Sequence, residues 1–218
     1  MRTNLDKWIV TFVVASTLGF FAPAIRAEDS YYMVVFAYQG KPNLPRSAHS
    51  FAAFVKASEE KNRPIDASRI EIHTISWLPA TLNVEPLRMR PVPGRNLGLL
   101  ETLQLAVSQN ADMSAWGPYR IQKDLYDRAL AQIDRLNCGQ ISFKAIDRRF
   151  RPATASNCFH AISDILDGPL LDTGTAYGDA ASEMIRDHLS GQIIERNSTY
   201  RFLIKPMDLE KYPITYRN

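Results

Sequence analysis

Ala155-Ser156-Asn157-Cys158-Phe159-His160-Ala161-Ile162-Ser163-Asp164-Ile165-Leu166 reads as the opening turns of a helix that begins on a cysteine. Ser156 is the predicted N-cap, because its hydroxyl can accept an amide proton that the first turn leaves unpaired. Cys158 then falls in that first turn, where free N–H groups and the helix dipole favour a thiolate. Cys158, Ala161, Ile162 and Ile165 share one apolar face, so the sulfur is expected to point into the body of the protein. His160 is two residues further on, about 200° around the helix, and faces elsewhere. If Cys158 is a nucleophile, its base comes from another part of the chain.

Two other uses of this cysteine stand beside the nucleophile. Cys138 lies twenty positions earlier, and in an oxidising compartment the two could form a disulfide. A loop of about 20 residues closed in this way supplies roughly 3 kcal/mol. His49, His73 and Cys158 are also residue types that suit zinc, although no close-spaced ligand pair such as His-x-x-x-His accompanies them.

The N-terminus bears on the compartment. Arg2 and Lys7 precede an apolar run from Trp8 to Ala24, and small residues follow at Ala22, Ala24 and Ala27. Residues 1–27 therefore read as a secretory signal peptide cut after Ala27, with Ala24 the second choice. Localisation is then periplasmic or secreted. Removal takes three basic residues (Arg2, Lys7, Arg26) and one acidic residue (Asp6), so the formal charge of +3 becomes +1. A near-neutral surface gives no reason to expect nucleic acid as a partner. The remainder, 28–218, is 191 of the 218 residues and reads as a single α+β domain. Asn197-Ser198-Thr199 is a glycosylation sequon, a match common by chance.

Upstream of the cysteine the chain turns to strands. Residues 31–38 form a continuous apolar and aromatic run, predicted as a strand buried on both faces. A strand over 49–56 puts His49, Phe51, Ala53 and Val55 on one face. A strand over 69–77 puts Glu71, His73, Ile75 and Trp77 on one face. Joined as a hairpin centred near residue 62, these strands bring residue 49 opposite 75 or 76, so that His73 lies two or three rungs from His49. Residues 79–96, rich in proline and arginine, are predicted as a long loop, either a flap over a site or a surface excursion. Helical spacing covers 97–108, 121–136 and 179–189. Trp116-Gly117-Pro118-Tyr119 reads as a turn, 141–146 as a short strand, 148–152 as a basic loop, 200–204 as a final strand and 212–218 as an extended tail.

The chain order of a strand histidine, a polar residue on the next strand and then a helix-borne cysteine reverses that of papain. With Asn157-Cys158-Phe159-His160, that order resembles the circularly permuted papain-like proteins, especially the lecithin:retinol acyltransferase group and its bacterial relatives. The resemblance covers roughly residues 46–77 and 140–166. It implies an antiparallel sheet with a packed helix carrying the cysteine. It further implies Cys158 as nucleophile, His49 as base, His73 as the residue orienting that base, and Asn157 and His160 as flanking support. The chemistry implied is acyl transfer or hydrolysis at an ester or amide, with no cofactor and no metal. In an exported protein the substrates would be lipid acyl esters, lipoprotein termini or peptidoglycan peptides, with contact at a membrane surface. Trp77, Trp116 and Phe159 would suit an acyl chain and serve equally well as core. The alternative is a non-enzymatic exported domain stapled by Cys138–Cys158.

Overall fold

The computed structural model describes residues 28–59, 67–146, 154–195 and 199–217. The predicted signal peptide, the 148–152 loop and most of the sequon lie outside these residues. The fold is mixed α+β and is built around the apolar run at 31–38. That run is the centre of strand β1 (Glu28–Gln39), and Met33 to Ala37 are fully inaccessible to solvent. A strand with no polar alternation must be covered on both faces, and this one is.

β1 pairs antiparallel with β2 (Ala48–Glu59), which pairs antiparallel with β3 (Ile70–Ile75). Chain then leaves this sheet. β4 (Trp77–Pro79) and β5 (Val92–Asn96) belong to a smaller sheet that also holds β7 (Ser142–Phe143) and β8 (Ala155–Ser156), in the order β4-β5-β7-β8. On the other side of β1 lies β6 (Asp112–Arg120), then β9 (Ile214–Arg217), giving the order β3-β2-β1-β6-β9.

One face of the larger sheet carries α1 (Leu99–Ser108) and the segment holding Leu203, Met207 and Leu209, packed on Val34, Phe36, Phe51 and Ala53. The opposite face carries α2 (Lys123–Asn137), α3 (Cys158–Ser163) and α4 (Asp179–Leu189), packed on Met33, Val35, Ala52 and Phe54. Alternation along β2 sorts its side chains between these two cores.

Several expectations change. Trp116-Gly117-Pro118-Tyr119 is not a turn but part of β6, at a bulge between the Met33–Tyr119 and Val35–Trp116 pairs. A bulge absorbs a proline that has no N–H to give the ladder. Gly117 has φ 102°, and a Cβ there would meet the Met33 carbonyl at 2.9 Å, so glycine is needed. The stretch at 200–204 is a 3-10 turn over Arg201–Leu203, and the last strand is β9, paired parallel with β6. The predicted loop 79–96 contains β5, whose Gly94 lies against the Trp77 indole, where a Cβ would overlap the ring.

Candidate active site

His49 stands near the head of β2, past the last β2–β3 pair, Ala52–Ile75. It is 1 % exposed, with its ring against Tyr38 (5.3 Å) and stacked on Phe51 (5.7 Å). Its Nε2 lies 2.9 Å from Ser76 Oγ, Ser76 Oγ lies 2.8 Å from Thr102 Oγ1, and Thr102 Oγ1 lies 2.8 Å from the Gly98 carbonyl. The carbonyl accepts only, and each hydroxyl has one proton. All three bonds form together in one way: Thr102 donates to Gly98, Ser76 donates to Thr102, and His49 Nε2–H donates to Ser76. Nδ1 is then a bare lone pair. It is buried and has no hydrogen-bond partner among the described residues. That is the tautomer a general base requires.

Ser76 is fully buried where the chain crosses from one sheet to the other. Asn96 holds the crossing, its Oδ1 accepting from Ser76 N–H at 2.8 Å and its Nδ2 donating to the Thr74 carbonyl at 2.7 Å. Leu97 N–H donates to the Ser76 carbonyl at 3.0 Å. Ser76 therefore reaches His49 from a pinned backbone. Thr102 reaches it from the first turn of α1, the helix covering the same sheet face as His49.

Cys158 approaches from the other core. The short parallel β7–β8 ladder delivers the chain to α3, with Lys144 N–H donating to the Ser156 carbonyl at 3.0 Å. The N-cap is Asn157 and not Ser156: its Oδ1 accepts from His160 N–H at 2.8 Å, while Ser156 is in β8. Cys158 is thus the first residue of the helix. Its sulfur meets the backbone N–H groups of Ser50, Phe159 and Cys158 itself. The Ser50 amide is free to do this because β2 beyond Ala52 has lost its β3 neighbour. Ser182 of α4 secures that stretch, its Oγ lying 2.8 Å from Ser50 Oγ and 2.9 Å from the Phe36 carbonyl.

Electrostatics correct the expectation of a resting thiolate. Burial raises the Cys158 pKa, and the three backbone donors only partly oppose it. Burial also lowers the His49 pKa, to about 3. The pair therefore rests as neutral thiol and neutral imidazole. Tyr38, opposite His49 in the β1–β2 register, is raised by burial and then by the Cys158 charge, and stays a phenol.

Comparison with known proteins finds no matching family model, curated protein or solved structure.

Of the residues expected to form the site, the structure brings His49, Asn157, Cys158 and His160 to one cavity and leaves His73 outside it. His73 pairs with Phe54, five residues along β2 from His49, or about 17 Å at about 3.3 Å per residue. It also faces the opposite core, with its ring 5.9 Å from Tyr126 of α2. Ser76, and not His73, is the residue hydrogen-bonded to the His49 ring. His160 is buried in support, with Nε2 2.8 Å from the Leu171 carbonyl. Both cysteines are free thiols, and Cys138 is exposed at the end of α2, so the alternative staple is not formed. The hydroxyls of Ser76 and Thr102 and the phenol of Tyr38 were not singled out by sequence pattern.

The cavity has a volume of about 1090 Å³, slightly above the usual range of roughly 300–1,000 Å³ for small-molecule sites. Leu78, Val84, Leu87, Phe143, Phe159 and Leu171 contribute to its walls. Among the described residues, Asp172 is the only carboxylate in the lining, and no lysine or arginine contributes to it.

Proposed function

We propose that the protein is an exported thiol-dependent enzyme of acyl transfer or hydrolysis, with Cys158 as nucleophile and His49 as base. The observation that carries this reading is the bare, unpartnered Nδ1 of a tautomer-locked histidine lining the same cavity as a helix-opening cysteine. The chain order of His49 and Cys158, which underlies the resemblance to permuted papain-like proteins, and the packing of α3 on a mixed α+β fold support this reading. Ser76 takes the orienting role first expected of His73.

In the reaction, Cys158 attacks an ester or amide carbonyl while His49 Nδ1 takes the thiol proton. Burial penalises each charge separately, but the transfer creates both together, and their attraction offsets part of that cost. The N–H groups already meeting the sulfur are placed to stabilise negative charge during attack. Asn157 Nδ2 is a buried donor with no hydrogen-bond partner among the described residues and can add to them. His49 then returns the proton to the leaving group, and water or an acceptor resolves the acyl-enzyme.

The described lining favours an apolar acyl group over a peptidoglycan peptide, whose charged groups would find few charged partners among the described residues. The test is turnover of p-nitrophenyl esters of increasing chain length. Each methylene accommodated is worth about 0.8 kcal/mol, or about fourfold in kcat/KM. Activity that rises with chain length and is lost in Cys158→Ala and His49→Ala supports the reading. Equal activity in either variant refutes it.

A further inference from the structure

One wall of the apolar cavity has a second, differently charged side. Along residues 83–90, Val84, Pro86 and Leu87 face the cavity, whereas Asn83, Glu85, Arg88 and Arg90 line a separate pocket of about 250 Å³. The facing segment divides in the same way. Phe143 and Ala145 border both spaces, and Lys144 between them borders only the small one. Three cations and one carboxylate thus stand directly behind the wall of an apolar chain site.

The small pocket has a hydrogen-bonded frame. Its floor is the β5–β7 pairing, Val92 opposite Phe143. Ala80 N–H donates to the Pro93 carbonyl at 2.9 Å, and Arg88 N–H to the Glu85 carbonyl at 3.1 Å. The one internal neutralisation is weak: Arg88 meets Glu85 at 3.1 Å with both side chains about half exposed. Arg90 and Lys144 make no ion pair among the described residues. A net charge of +2 beside an apolar cavity matches a ligand with an anionic head and an apolar tail.

We propose that Arg88, Arg90 and Lys144 form a head-group subsite for a phosphate-bearing amphiphile whose acyl chain occupies the neighbouring cavity. This rests on the acyl reading of the cavity and narrows the acyl donor to an anionic lipid. Leu87 and Met89, 87 % and 84 % exposed on the same loop, are placed to meet the surface such a lipid comes from.

The experiment measures binding to the full mature chain, as wild type and as Cys158→Ala. The probes are dioctanoyl phosphatidylglycerol and dioctanoyl phosphatidylcholine below their micelle concentrations, with inorganic phosphate alone as the third. The expected result is anionic lipid bound about tenfold more tightly than zwitterionic lipid and far more tightly than phosphate. That margin should vanish in the triple variant R88Q/R90Q/K144Q, with zwitterionic binding retained as the sign of an intact fold. Equal affinity for the two heads, or tight binding of phosphate with none of lipid, overturns the proposal. Because binding needs no thiol, head-group selectivity without ester turnover would leave this subsite standing and remove the enzyme. Turnover without selectivity would do the reverse.

Discussion

Thr102→Val tests the proton relay at a residue that does not touch His49. Valine nearly matches threonine in shape but removes the hydroxyl that accepts the Ser76 proton at 2.8 Å. Ser76 can then turn its proton toward His49 Nε2, 2.9 Å away. Donation there requires Nε2 to be the bare nitrogen, which moves the ring proton to Nδ1 and blocks the base. One net hydrogen bond of about 1 kcal/mol holds the tautomer bias, so its loss lowers kcat about five- to tenfold. KM stays close to wild type, because Thr102 does not line the cavity. Stability also falls little, since the flipped tautomer satisfies the Ser76 hydroxyl again. The assays are kcat and KM on a medium-chain ester and the ¹⁵N shifts of the His49 ring. Unchanged kcat with the ring proton still on Nε2 would refute the claim that Thr102 sets the tautomer.

Ser76→Ala strands Nε2–H in a fully buried site, so kcat should fall about 10- to 100-fold and stability by about 1–3 kcal/mol; a variant matching wild type in both would exclude Ser76 from the relay. His49 has a folded pKa of about 3 against about 6.5 unfolded, so the unfolded chain binds more protons between these values and stability declines as pH drops through that window. Denaturant unfolding at pH 7 and pH 5 should show a loss of about 2 kcal/mol from this group, absent in His49→Gln; an identical pH slope in the variant would count against a buried neutral histidine. Gly94→Ala should cost about 1–3 kcal/mol by forcing Trp77 off its seat, read as a lower Tm, and an unshifted Tm would show that the indole moves freely. Iodoacetamide should label exposed Cys138 before Cys158 at neutral pH, with the Cys158 rate still climbing above pH 9; rapid labelling of Cys158 at pH 6 would contradict the neutral resting pair.

Much of the frame was legible in the sequence. The unbroken apolar run at 31–38 gave a doubly buried strand, and the helical spacing at 179–189 matches α4, Asp179–Leu189. The resemblance carried by chain order and by Asn157-Cys158-Phe159-His160 pointed to His49 and Cys158 together, and both line one cavity. Register was not legible. A hairpin centre near residue 62 put residue 49 opposite 75 or 76, whereas the observed pair is Ala52–Ile75. Against a 49–75 pairing this is a slip of three and against 49–76 a slip of two; the observed register pairs His73 with Phe54, away from His49, and its ring faces Tyr126 on the opposite core. Ser76 and Thr102 carry no periodic signal, and their roles arise only where a strand ends and the chain changes sheet. The helix-start argument for a thiolate failed because it considered local amides without the burial that tertiary packing imposes.

The central claim is that Cys158 carries the acyl group and His49 moves its proton. Intact-protein and peptide mass spectrometry after rapid quenching with p-nitrophenyl octanoate tests it directly. The account predicts an octanoyl adduct on the peptide containing Cys158, forming in the wild type, strongly slowed in His49→Ala and absent in Cys158→Ala. Ester turnover with no adduct at Cys158, or an adduct that forms as fast without His49, would contradict it.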